Sequence, residues 1–347
     1  LSPEAVQLTP AQMGFLKETI PAFDTSSCSV TCAGRAGSDR RFFRVHVPAT
    51  KESFVLVAWN SEDHDWNRFI SIQRDLAVRV PFLPRIFAYD DGHGLILEED
   101  LGAVTLKKFC GRAKAAEVAA QYRVVLDALA VWQQVDPSAC ATISSRDMDL
   151  DMFLWESEYF TAHCVKEYFG LDKLLPAAWE QERVRIAAQA AGFPKVCIHR
   201  DFQSENILLH GGSARFVDFQ GARRGPAGYD VGSLLYDPYA PNLTPSLSKR
   251  LFEYYLSRVP FEVTPQSFRI CSIQRLMQAL GAYANLSLHK GKDWYRAYIP
   301  VALKRLERVI GQGGDVPALA AIVAGCVRQD GIKKPSRRCR ETRRRKD

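Results

Sequence analysis

Three residues of this 347-residue chain carry the plainest chemical content: Asp201, Asn206 and Asp218. Two lie in IHRDFQSENILL (residues 198–209), and the third lies in ARFVDFQGARRGPAGYDVGSLL (214–235). Asp201 occupies a loop directly after an apolar strand-like run. Asn206 comes five residues later and opens a second run, and Asp218 ends the next one. Transfer of a phosphoryl group from ATP needs a carboxylate near the acceptor hydroxyl and hard oxygen ligands for magnesium. Both must sit on a rigid scaffold, because catalysis of this kind is mainly positioning and charge neutralisation. An Asp, an Asn five residues on and an Asp at the end of the following strand meet those needs. Polar turns between hairpins would not by themselves demand this order of groups. His199 reads as a residue that packs the loop, and Asp230 in GYDVGSLL as a structural acid, a plain helix N-cap being one form of it.

The elements that must position these groups are legible around them. Residues 1–23 read as a short helix, with Pro10 ahead of 11–19, whose apolar positions suit a helical face. Runs at 27–31, 42–47 and 54–59 are rich in aromatic and β-branched residues and read as strands, with loop composition in AGRAGSDR (33–40). A helix is expected over 63–78, ended by Pro81 and Pro84, with strands after it at 85–89 and 94–97 around the turn Asp90-Asp91-Gly92-His93. Beyond Gly102 the pattern turns helical, over 115–134, 149–169 and 177–191. Two short β segments, 196–210 and 214–219, interrupt it, and helices resume at 247–258, 265–289 and 295–310.

Composition narrows the class. With 47% hydrophobic and 24% charged residues the chain is an ordinary globular protein, not a disordered, collagenous or disulfide-stapled one. The net charge of +7 comes from the segment KKPSRRCRETRRRKD (333–347), which holds nine basic and two acidic residues; 37 of each sign remain elsewhere. Nucleic-acid binding by the body is therefore not expected, and the tail reads as a solvated, disordered end. Nine scattered cysteines without a C-x-x-C pair read as reduced thiols. There is no apolar run near 18 residues, so no membrane span is expected. LSPEAVQLTP lacks the basic-then-apolar pattern of an export signal, so a cytoplasmic location is expected.

Residues 25–310 resemble the aminoglycoside phosphotransferase (APH) family, a branch of the protein-kinase-like fold, and within it the kinases of bacterial cell-wall recycling that act on N-acetylmuramate and N-acetylglucosamine. The likeness rests on GSDRRFFRV (37–45), LEEDLG (97–102), HRDFQSENIL, VDFQGARRGPAGYDVGSLLYD (217–237) and QRLMQALGAY (274–283). Val-Asp-Phe-Gln, with no Ala-Pro-Glu after it, is similar to the sugar-kinase branch and unlike protein kinases.

The resemblance implies an α+β, two-lobed fold: a small antiparallel-sheet lobe over 1–100, a larger helical lobe over 101–330 and the basic tail over 331–347. It implies an ATP- and Mg2+-dependent enzyme phosphorylating a hydroxyl of a small molecule, an amino sugar at its anomeric position. Asp201 would be the catalytic base, and Asn206 and Asp218 would hold magnesium. The segment 38–44, with Ser38, Arg41 and Arg44, would cover the ATP phosphates, and Glu98, Glu99, Asp100 and Leu101 would form the adenine hinge. Glu156, Gln220 and Arg223 would serve the acceptor, Arg224 being equally a surface residue. Trp155 is either a core partner of Tyr159 at i, i+4 or a face for a sugar ring. Other readings stay open: an aminoglycoside or amino-alcohol kinase, which the five acids of residues 144–160 would suit, and a nucleotide-binding pseudokinase. The last arises because the third strand has no lysine, and Asn67 and Arg68 stand near the place of the usual helix glutamate. Arg41 or Arg44 is the expected substitute, since an arginine fork suits phosphate.

Overall fold

A computed structural model of the chain describes residues 6–35, 40–240 and 242–333; Ser38 and the tail beyond 333 lie outside the described residues. The fold is α+β, an N-terminal five-stranded antiparallel sheet and then a mostly helical part. Its first elements are α1 (Pro10–Thr19), β1 (Ser29–Arg35), β2 (Arg41–Val47), β3 (Glu52–Ala58), α2 (His64–Leu76), β4 (Ile86–Asp90) and β5 (Leu95–Glu99). Next in the chain are α3 (Leu106–Cys110), α4 (Ala115–Gln133), α5 (Ala141–Ser144), α6 (Leu150–Tyr159), a π-helix (Phe160–Tyr168) and α7 (Trp179–Ala191). Then come β6 (Lys195–Ile198), β7 (Ile207–His210), β8 (Ser213–Phe216), β9 (Arg223–Pro226) and α8 (Ala227–Leu235). The last helices are α9 (Pro245–Leu256), α10 (Pro265–His289), α11 (Ile299–Ile310) and α12 (Pro317–Lys333). Two compact units divide the chain: 1–147 with 195–224 and 244–262, and 148–194 with 225–243 and 263–347.

In the first unit the sheet order is β1-β2-β3-β5-β4. Period-two alternation sorts its side chains. Phe43, Val45, Val47, Leu56, Leu95 and Leu97 form one face and bury against Phe15 and Leu16 of α1. That helix starts where Thr9 and Gln12 exchange a capping box, with Pro10 at its first position. The register pairs Arg44 with Val55 and Val55 with Glu98, so these three share the other face. Val55 and Val57 stand on β3 where a kinase lysine would be sought, and α2 offers no glutamate.

The second unit is organised by α10, buried along most of its 25 residues. A Cβ built on Gly281 would meet the Tyr159 carbonyl oxygen at 2.8 Å and the Phe160 nitrogen at 2.9 Å. Only glycine lets α10 approach the α6–π junction so closely. Where α8 crosses α10, a Cβ on Gly232 would stand 2.5 Å from Ser272 Oγ. The buried Glu182 of α7 accepts from the Ala318 and Leu319 amides at 3.1 and 2.8 Å and so caps α12. The sequence pattern did not announce α12: Leu319, Ile322, Val323 and Cys326 are buried along one side, but alanines occupy the other sides too and blur the periodicity.

Three expectations are corrected here. The helix expected over 149–169 is α-helical to Tyr159 and then π-helical. Trp155 is not core: it is 48% exposed and stacks on Tyr159 at 5.0 Å, because the helix phase turns Phe153, Glu156 and Ser157 inward. Asp230 is not an N-cap; the cap of α8 is Pro226, and Asp230 lies fully buried in the first turn.

Gly281→Ala adds a methyl against backbone that cannot rotate away. Overpacking of this kind costs about 1–3 kcal/mol, against a helix-propensity gain of up to about 1 kcal/mol. The expected net effect is destabilisation, read as a lower urea midpoint; an unchanged or higher midpoint would contradict the close approach.

Candidate active site

Asp201, Asn206 and Asp218 are brought together within the first unit by one hairpin. Gly211 and Gly212, at φ 58° and 79°, make the two-residue turn that lets β7 pair antiparallel with β8. The ladder sets Ile207 opposite Phe216 and His210 opposite Ser213. One step further out, the Val217 amide donates to the Asn206 carbonyl at 3.0 Å. Asp218 is the next residue, and its φ of 63° turns the chain out of the strand. Asn206 Nδ2 then lies 3.4 Å from Asp218 Oδ2 and donates to the Asp201 carbonyl at 2.9 Å. Arg200 also adopts a left-handed φ, 77°. Two such non-glycine residues in one loop system are costly and persist only where the surroundings over-determine them.

Those surroundings are identifiable. His199 is fully buried among the rings of Trp132, Phe202 and Phe216, and its Nε2 contacts the Val217 carbonyl at 3.1 Å. Burial pushes its pKa down, which favours the neutral ring in this packed setting. Arg146 Nη2 donates to the carbonyls of Gln220 and Ala222 at 3.0 and 2.6 Å, and its Nε donates to that of Thr142. It thereby holds the loop after Asp218. Burial, helped by Arg223 and Arg68, pulls this guanidinium down to about 10. Asp201 keeps its side chain 25% exposed, with Arg200 Nη1 at 3.4 Å from Oδ2.

The cation beside Asp218 is Arg40. Its Nη2 lies 2.5 Å from Asp218 Oδ1, and its Cζ lies 4.6 Å from the centroid of the Trp59 ring. Gln220 Nε2 donates to the same Oδ1 at 2.8 Å. Burial pushes the Asp218 carboxyl up, but Arg40 and Gln220 outweigh it and hold the group below its usual range. The arginines expected in this role are engaged otherwise. Arg44 donates to both carboxylate oxygens of Asp100 at 2.6 and 2.9 Å, and Ser53 adds a third bond. Arg41 is exposed, with its Cζ 4.9 Å from the Phe43 ring centroid. Sequence reasoning thus passed over Arg40 and Arg146. The signal for the first was present in DRRFFR: Arg40 precedes β2 and is not bound to the strand's alternation.

The remaining candidates fall into two groups. Glu99 binds Arg215 at 3.0 and 2.5 Å, and Asp100 holds Arg44, so both side chains brace the end of β5. Leu101 is buried. Glu98 is different: it is 7% exposed, and its Oε2 has no hydrogen-bond partner among the described residues. Burial pushes its carboxyl up to about 8, against the pull of Arg40. Of the acceptor candidates, Arg223 Nε donates to the Gly221 carbonyl at 2.9 Å, and Arg224 is paired with Asp147. In the second unit Glu156 is fully buried and accepts from Tyr229 Oη at 2.6 Å. Asp149 caps α6, and Glu158 faces Arg183.

An acid paired with a guanidinium on a strained turn, with an asparagine beside it and a second acid in the same loop system, offers the groups that phosphoryl transfer requires. Residues 33–267, more than half of the chain, match the APH phosphotransferase enzyme family, and the chain belongs to that family. It is a phosphotransferase-family kinase of small molecules. The N-acetylmuramate/N-acetylglucosamine kinase of Pseudomonas aeruginosa is 26% identical over 305 residues, 84% of this chain and 87% of that protein. The same-named kinase of Neisseria meningitidis is 24% identical over 72% of this chain and 77% of its own. Among solved structures, the GDP and kanamycin complex of APH(2")-IIia superposes with a TM-score of 0.62 at 14% identity, covering 88% of this chain and all of that one. A choline/ethanolamine kinase family protein from Mesorhizobium loti gives 0.59 at 15% identity, covering 91% and 98%. These likenesses show the kinase-like fold. No helix among the described residues is long and apolar enough to cross a membrane.

Glu98 makes a measurable prediction. Its folded pKa, about 8, lies above the ordinary value of 4.5, so the folded state binds more protons between those pH values. Stability is therefore lost as pH rises from about 5 to about 8, by an amount on the order of a few kcal/mol. Glu98→Gln removes this cost. The gap in melting temperature between the variant and the parent should widen in the variant's favour over that range. A gap independent of pH would show that Glu98 does not titrate as its burial requires.

Proposed function

We propose that this chain is an ATP-dependent sugar kinase that phosphorylates an N-acetylated amino sugar, N-acetylmuramate or N-acetylglucosamine, at the anomeric hydroxyl, in the recycling of cell-wall material. The observation that carries the reading is the similarity, over 84% of the chain, to a kinase of that name. The loop that holds Asp201, Asn206 and Asp218 supports it.

In this reading Asp201 accepts the proton of the acceptor hydroxyl and orients it. Its partial exposure leaves the carboxylate within reach of a substrate, and Asn206, bonded to its carbonyl, fixes its backbone. Asn206 and Asp218 supply an amide oxygen and a carboxylate, the hard donors that Mg2+ requires. The acidity of Asp218 fits such an ion, which with the triphosphate would supply the leaving group and neutralise its charge. Arg40 takes the part of the missing strand lysine: it is the guanidinium that can turn from Asp218 to a phosphate. The turn into β2, with Arg40, covers the phosphates, and Glu98, Glu99, Asp100 and Leu101 form the hinge, offering backbone groups to the base. Of the residues assigned to the acceptor, Gln220 and Arg223 lie in the first unit and Glu156 in the second; each is less than a tenth exposed and so acts by shaping the part of its own unit around it. The protein acts in the cytoplasm.

A coupled ADP-release assay with Mg2+ and ATP tests the reading on N-acetylmuramate, N-acetylglucosamine, glucosamine, plain hexoses and kanamycin. Turnover is expected on the N-acetylated sugars, with Asp201→Asn lower by about 10²–10⁴-fold, the usual share of a general base. Turnover on kanamycin alone would overturn the substrate. Arg40→Ala is expected to lower kcat/KM by on the order of 10²-fold, as loss of a preorganised charge-stabilising donor does. Arg41→Ala should stay near the parent enzyme; the reverse pattern would return the role to Arg41.

A further inference from the structure

Within the second unit, three side chains converge on a single atom. His163 Nδ1 and His289 Nε2 each lie 2.8 Å from Glu167 Oε2. The three candidate ligand atoms all lie within 4.8 Å of one another. His163 and Glu167 come from the π-helix, four residues apart, and His289 is the last residue of α10, 122 positions further on than Glu167. The two rings face each other edge to face, with centroids 5.7 Å apart.

The convergence is built, not incidental. Along α10, residues 281, 285 and 289 share one face, since i and i+4 stack along a helix. Gly281 sets the close approach to Tyr159 and Phe160. One turn on, Asn285 Nδ2 donates to Tyr159 Oη at 2.7 Å. The next turn presents His289 to Glu167. Tyr159 also packs edge-on against the His163 ring, with centroids 4.7 Å apart, which fixes that imidazole. Two helices locked by one column of contacts thus aim two imidazoles at one carboxylate. π-helical turns are themselves uncommon and recur at functional sites.

We propose that His163, Glu167 and His289 form a binding site for a borderline-soft divalent ion, Zn2+, with water completing its coordination. Two imidazole nitrogens and one carboxylate are the donors that favour Zn2+ over Mg2+ or Ca2+, which take oxygen ligands. Metal–ligand bonds of about 2.0–2.1 Å place tetrahedral ligands roughly 3.3 Å apart, so the 2.8 Å contacts need open by only about half an ångström. To ligate the ion, His163 Nδ1 and His289 Nε2 must each present a lone pair, so any proton either nitrogen shares with Glu167 moves to the far nitrogen of its own ring. Bound there, the ion clips the π-helix to the end of α10. Binding there does not depend on the identity of the kinase's substrate.

The test uses the full chain in which Cys28, Cys32 and Cys339 are serine, so that these thiols do not compete for the ion. After dialysis against EDTA, Zn2+ is titrated calorimetrically and thermal unfolding is recorded with and without the ion. One ion per chain and a melting temperature raised by several degrees are expected, because a ligand that binds only the folded state stabilises it. His163→Ala and His289→Ala should each abolish both effects yet melt, metal-free, within a degree or two of the parent. His289→Cys should restore binding. Co2+ gives a direct readout, since tetrahedral ligand-field bands are expected in the parent and absent from His289→Ala. Equal stoichiometry and an equal shift in the two alanine variants would overturn the site, as would the absence of any binding by the parent.

Discussion

Because Ile207 faces Phe216 in the β7–β8 ladder, Asn206 meets Val217 and Asp218 is the next residue along the chain. Everything acidic about the site depends on that register. A slip of one residue would turn every side chain of the hairpin to its other face and separate the amide from the carboxylate. The Gly211-Gly212 turn is what holds the register, and the surrounding rings and Arg146 hold the hairpin's outer end. The spacing of twelve between Asn206 and Asp218 is thus the arc length of a tight hairpin plus one left-handed step.

Electrostatics in the first unit is arranged around compensation. Asp218 has Arg40, Asp100 has Arg44 and Glu99 has Arg215. Each of these carboxyls lies below its usual range because a guanidinium outweighs the penalty of burial. Glu98, on the same strand as Glu99, has no such hydrogen-bonded guanidinium among the described residues, and burial holds its proton on. Burial and one missing partner are enough to give neighbouring glutamates opposite behaviour.

Much of this was legible in advance, for identifiable reasons. The strands and the long helices are written in apolar periodicity, and the loop acids in their fixed spacing. The roles of the arginines were not legible. DRRFFR offers three guanidinium groups within five positions, and which one reaches Asp218 depends on a contact 178 residues away in sequence. Trp155 was equally opaque, since a helix with acids on several sides does not reveal which way its aromatic ring turns. The π-helix has no pattern of its own: an extra residue in a turn shifts the phase of the residues beyond it without changing their composition.

The ion pair between Arg40 and Asp218 also means that this carboxylate already holds a counterion fixed to the same chain. A tethered partner of this kind competes at an effective concentration in the millimolar range or above. A singly charged ion from solution carries no more charge than the guanidinium it would displace, and it must be immobilised from bulk to do so. Ordinary monovalent salts are therefore poor competitors at Asp218. The position is open to species that bring higher charge, or that give the displaced guanidinium another anion to hold.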